Sequence, residues 1–214
     1  MGVGHVKRRA ASVEAGGSNC AGEEPIKTVM TAMIGVAGLA AASHGAVPTF
    51  FTNLSGAAEA PPNSSLGTGW ARVDYDNAAR TMRVRASFSG LTGNVTVCHI
   101  HGATAVPFTG TAGVATPTPT FPGFPAGGTS GSYDNTFNLA LASSWNAAYI
   151  TANGGTTLSA ETAFFNAMTA GRTYFNVHST AFPPGELRGF LAIPSPSALA
   201  MLGLGGLVAA RRRR

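Results

Sequence analysis

With 214 residues the chain has room for one ordinary domain plus flanking segments, and 28 glycines, 13 prolines and only 11% charged residues favour short strands with tight turns over long helices. The formal charge of +5 sits at the ends: residues 1–46 carry +1 and Arg211, Arg212, Arg213 and Arg214 carry +4. The six arginines and six acids between them cancel, so the body has no basic surface to neutralise phosphates, which argues against nucleic-acid binding.

Residues 1–26 are polar and unpatterned and read as an N-terminal extension, with a start codon further along the chain as one explanation. Residues 27–46 read as a secretory signal peptide: Lys27, an uncharged stretch over 28–43, then the small-residue exit Ser43-His44-Gly45-Ala46, with cleavage expected after Gly45 or Ala46. A buried helix is the alternative for this stretch. Cys20 precedes the cut, so the mature domain holds the single thiol of Cys98 and no internal disulfide. Cys98 lies in a β-branched run and is expected to be a small buried hydrophobe.

From Thr49 onward the pattern is that of strands. Residues 70–75 and 82–88 alternate apolar and polar with period two, and Asp76-Asn77-Ala78-Ala79 joins them as a hairpin turn. Gly90-Leu91-Thr92-Gly93 turns into a third strand over 94–101. Further strands are expected over 50–54, 137–141, 173–178 and 187–193, with 102–135 a long Gly/Pro/Thr-rich loop. One short helix is expected over 159–168, with Ser159 as its cap and Gly171 as its stop. Asp74 and Asp76 share a face beside the hairpin turn and read as solvated rather than catalytic. Seven short strands predict an all-β fold, an antiparallel β-sandwich over 47–193, with hydrophobic helical segments at both ends of the chain.

At the C-terminus, Pro194-Ser195-Pro196 leads into a Leu/Gly/Ala-rich run and then the four arginines Arg211, Arg212, Arg213 and Arg214. The run is shorter than the roughly 20 residues of a stable membrane-spanning helix, and the arginines would hold the terminus on the cytoplasmic side. Residues 194–214 resemble the PEP-CTERM sorting signal of Gram-negative bacteria, with Ser195 standing where that motif has glutamate. The resemblance implies an exosortase-type sorting enzyme as partner and anchorage in the inner membrane before processing. A plain membrane tail is the alternative.

Several phrases of the body fall in a recognisable order: residues 54–59 with Pro61-Pro62, Gly67-Thr68-Gly69, Phe88-Ser89-Gly90-Leu91, His99-Ile100-His101-Gly102, residues 174–178, and residues 185–189. Together they resemble the CHRD domain, first named from the chordin proteins, over about residues 49–192. The resemblance implies a β-sandwich of immunoglobulin-like or superoxide-dismutase-like character and no established enzymatic activity.

The constellation with chemistry is a set of histidines. His99 and His101 are two apart on a strand, so their side chains leave the same face, with Cys98 and Ile100 on the other. His178 ends a second strand and Glu186 begins a third. Three imidazoles and a carboxylate suit zinc or copper. The His-x-His strand resembles that of copper-zinc superoxide dismutase, but the histidines for a second, bridged metal are missing, so that activity is not expected. The other reading is that the histidines hydrogen-bond to backbone and to Glu186 and knit strand ends together. Glu186 and Arg188, two apart between Gly185 and Gly189, are candidates for an ion pair or for clamping neighbouring loops. No His-Glu-x-x-His, Gly-x-Ser-x-Gly or phosphate-cradling motif occurs. The expectation is a non-enzymatic module, exported to the cell surface or extracellular matrix, that binds protein or polysaccharide there. The alternative is a zinc- or copper-binding domain.

Overall fold

A computed structural model describes residues 47–194. The N-terminal extension, the signal peptide and the sorting segment beyond Pro194 lie outside the described residues, as do the hydrophobic segments expected at both ends. Among the described residues no helix is long and apolar enough to cross a membrane.

Seven antiparallel strands form the domain: β1 (Thr49–Ser55), β2 (Thr68–Asp76), β3 (Thr81–Ser89), β4 (Val95–Gly102), β5 (Gly131–Asn138), β6 (Thr173–Ser179) and β7 (Leu187–Phe190). Two helices, α1 (Ala147–Ala152) and α2 (Thr157–Thr169), lie between β5 and β6. Alternation sets the inner face: Phe50 and Leu54 of β1, Ala71, Val73 and Tyr75 of β2, and Met82, Val84, Ala86 and Phe88 of β3 are all buried. The β2–β3 hairpin closes as the Asx residue dictates, Asp76 Oδ1 accepting from the backbone N–H groups of Ala78 and Ala79 at 2.9 Å each.

The strands hydrogen-bond as one continuous sheet in the order β4-β6-β7-β1-β2-β3-β5, where a two-sheet sandwich was expected. The reason is β1, which pairs along its whole length with β2 and also, through Ser55–Arg188 and the Phe51–Ala192 bridge, with β7 and its extension. That second join is thin, and the sheet curls into a half-barrel. Phe121, from the long 103–130 loop, fills the interior, packing on Tyr133 and Phe137 of β5 and on Phe175 of β6. Burial of an aromatic ring of this kind stabilises by about 1.5–3 kcal/mol.

The same loop covers the free edge of β4. Thr116 and Thr120 bond through their hydroxyls to the backbone of Ile100 and Cys98, and His101 bridges to Val114. Cys98 is fully buried, as expected. Helix α2 packs Ala160, Phe164 and Met168 into the core and lays Phe165 against Phe50 and Tyr75. Its cap is Thr156, and Ser159 is the third residue of a capping box rather than the cap itself. Asp74 is not solvated: it is held by Thr49, Arg72 and Arg85, and these hydrogen bonds outweigh burial and keep its carboxyl below the ordinary range.

Candidate metal centre

Strand β6 is buried at every position from Thr173 to Ser179. Phe175 and Val177 face the core; Tyr174, Asn176 and His178 face the other side. There, residues 103–113 and the segment after β1 lie over them. Register places His99 of β4 opposite Asn176 and His101 opposite Tyr174, with Val97 opposite His178. The period of two then brings three imidazoles together. Ring centroids are 4.6 Å apart for His99–His101, 4.8 Å for His99–His178 and 6.2 Å for His101–His178. One ring nitrogen from each lies within 4.8 Å of the others.

Backbone carbonyls decide the tautomers. His101 Nδ1 is 2.8 Å from the Ala112 oxygen and His178 Nδ1 is 2.8 Å from the Pro183 oxygen. A carbonyl only accepts, so each Nδ1 carries the proton and each Nε2 keeps a lone pair. Those two Nε2 atoms, and Nδ1 of His99, are buried without a hydrogen-bond partner. Burial, then the neighbouring imidazoles, pushes His99 down to about 3. Burial pushes His101 down to about 4 against the opposing pull of the Ala112 carbonyl, and lowers His178 against that of Pro183. The cluster is therefore neutral at ordinary pH.

Polar groups continue across the sheet from the histidines. The Tyr174 ring carries His101 stacked at 4.6 Å and the Arg188 guanidinium 3.5 Å from its centroid. Arg188, 1% exposed, donates to the Gly110 carbonyl, and the Tyr174 hydroxyl meets the backbone of Ala112. Glu59 accepts from Asn176 at 3.4 Å; burial raises its carboxyl to about 7, against the pull of Arg188.

Glu186, expected among the metal ligands, lies elsewhere. It accepts from the Ser65 hydroxyl at 2.6 Å and from the backbone N–H groups of Thr92 at 2.5 Å and Gly93 at 3.3 Å. The donors of the tight turn before β4 claim it, and it clamps two loops. Among the described residues it makes no ion pair with Arg188, whose guanidinium is drawn onto Tyr174. Sequence reasoning assigned no site role to Tyr174, Asn176 or Glu59, although all three lie in the phrases that carry the CHRD resemblance. Period two within residues 174–178 places Tyr174 and Asn176 on the face of His178; nothing local signalled that Glu59, 117 residues from Asn176, meets that face.

Two of the three facing nitrogens are fixed as acceptors and a neutral His99 has at most one proton to offer, so the three cannot all satisfy one another. A cation can. Ligands about 2 Å from a tetrahedral zinc sit about 3.3 Å apart, so side-chain rotations of at most about 1.5 Å close the set. The hydrogen-bonded second nitrogens of His101 and His178 are the outer-shell arrangement that orients and strengthens such ligands. The donor set suits zinc or copper and leaves a fourth position open.

Fold and site together define a curled antiparallel β module carrying a buried histidine triad under one loop. The CHRD domain model matches residues 50–191, and the chain belongs to the CHRD domain family. Neither a curated protein nor a solved structure matches it.

Proposed function

We propose that this protein is a CHRD module that works outside the cytoplasm and holds one zinc or copper ion on His99, His101 and His178. The observation that carries this is the convergence of three buried, unpartnered imidazole nitrogens, two of them fixed as acceptors by backbone carbonyls. The ion supplies the positive partner that the cluster lacks and ties β4 to β6. Through Ala112 it also steadies the loop over the site. Export, by way of the leader over 27–46 and the sorting segment over 194–214, is part of the same reading. So is an exosortase-type enzyme acting at the inner membrane. Membership of the CHRD family supports a binding or structural role in the envelope or matrix rather than catalysis.

The test is elemental mass spectrometry on untagged full-length protein beside His99→Ala/His101→Ala and Glu186→Gln variants. One zinc or copper per chain, lost in the double histidine variant and retained in Glu186→Gln, supports the reading. Protein that is metal-free and takes up neither ion overturns it, and the histidines are then structural.

A further inference from the structure

The outer face of β1, β2, β3 and β5 is polar except at one place. Phe51 and Trp70 project from it, 39% and 38% exposed, although each belongs to a well-paired central strand. Register sets Phe51 opposite Arg72 and Asn53 opposite Trp70, so the two rings are diagonal neighbours on one face. Their centroids are 6.4 Å apart and their planes differ by 19°. With Asn53, Arg72 and Arg85 they line an open hollow of about 440 Å³.

The charge of this hollow is unbalanced. Asp74 takes Arg72 on one oxygen at 2.8 Å and Arg85 on the other at 2.6 Å, so two guanidiniums share one carboxylate. The side chain of Arg72 stays 42% exposed and that of Arg85 28%. One positive charge and partly exposed guanidiniums therefore stand beside two nearly parallel aromatic rings.

From this we infer that the hollow binds an acidic polysaccharide of the polyuronate type. The C–H face of a sugar ring carries partial positive charge and packs on the negative face of an aromatic ring. The Asn53 amide can meet hydroxyls, and a guanidinium meets a carboxylate through paired N–H groups. A single-stranded nucleic acid would use the same rings but brings a phosphate at every step, and the six arginines and six acids of residues 47–194 cancel. Two rings bordered by arginine, asparagine and aspartate are also too small an apolar patch for a stable protein interface. The site lies on strands other than those that carry the histidines and is independent of the metal reading.

The test is titration of full-length protein with alginate oligosaccharides in the presence of a chelator, so that metal bridging to alginate does not contribute. Calorimetry reports affinity, and tryptophan fluorescence reports the site, because Trp70 is exposed while Trp145 is 4% exposed. Expected are saturable binding with a change in fluorescence, a loss of at least tenfold in Trp70→Ala and in Phe51→Ala, a several-fold loss in Arg85→Gln, and near wild-type binding in Trp70→Phe. Unchanged circular dichroism in these surface variants ties the losses to the hollow. The proposal is overturned by absence of alginate binding or by wild-type affinity in Trp70→Ala. Equal binding of a neutral glucan overturns it as well, as does preferential binding of single-stranded DNA or of anionic phospholipid vesicles.

Discussion

His101 and His178 each commit one ring nitrogen to a backbone carbonyl, and this sets what the other nitrogen can do. Protons compete with a metal for the same lone pairs, so the depressed basicity of His99 and His101, about 3 and about 4, has a direct consequence. Between pH 8 and 5, zinc affinity is expected to fall only at a lower pH than it does for ordinary imidazole ligands, which take up protons at about pH 6.5. Isothermal titration across this range checks it, and an affinity that decays between pH 7 and 6 contradicts it. Glu186 acts at the same scale but for the fold. Ser65 and the backbone N–H groups of Thr92 and Gly93 lose their shared acceptor in Glu186→Ala, which is expected to cost about 2–4 kcal/mol in urea unfolding at pH 7. Its folded carboxyl is held below its ordinary value by hydrogen bonds that overcome burial. Its contribution is thus present above the unfolded carboxyl range and is lost as pH falls through the folded value.

Among the elements, β6 and α2 have opposite sources of stability. Strand β6 is buried on both faces, apolar toward the core and polar toward the histidine cluster. Helix α2 is held by the few side chains it buries and by the reciprocal Thr156–Ser159 capping box. Phe164→Ala removes a fully buried ring that packs on Trp145 and Tyr149 and is expected to cost about 3–5 kcal/mol. Thr156→Ala, which removes only the cap, is expected to cost about 1 kcal/mol. Denaturant midpoints of the two variants compare these terms; equal losses mean that packing is not what anchors the helix. The existence of α2 was legible from its spacing. Helix α1 was not, because six residues carry too little periodicity and its start rests on the Asn146 side chain accepting from Ala148.

At the scale of the molecule, the buried imidazoles and Glu59 act in opposite directions on the metal-free protein. The unfolded chain takes up protons on His99 and His101 below about pH 6.5, and the folded chain does not until about pH 4. Stability therefore rises with pH across that window. Glu59 stays protonated in the fold up to about pH 7, while its unfolded form is ionised above about 4.5, and so it lowers stability as pH rises over the same span. His99 and His101 against Glu59 leave a rise of about 1 kcal/mol per pH unit near pH 5.5, to which the lowered basicity of His178 adds. Thermal melts of chelator-treated protein between pH 5 and 8 measure this slope. Glu59→Gln should steepen it, and a flat or falling profile contradicts the burial argument.

Alternation, Asx turns and glycine-proline punctuation act over neighbouring residues, so the amino-acid order alone determined six of the strands, the β2–β3 hairpin and the shared face of His99 and His101. Strand β5 was expected over 137–141 and runs over Gly131–Asn138, because its pairing with β3 draws in residues 131–135 that read locally as loop. The CHRD phrases were legible for the same reason. The joining of seven strands into one curled sheet is different. It depends on a thin contact between β1 and β7, residues more than a hundred positions apart. The membership of the histidine cluster is likewise a matter of long-range register. His178 joins His99 and His101 because β6 pairs with β4, whereas Glu186 turns away because the backbone donors of Thr92 and Gly93 reach it. Arg188 settles on Tyr174 instead of pairing with Glu186. Spacing along a strand states which side chains share a face; which partners that face meets is set by the energy of closing the sheet, and only the tertiary structure decides it.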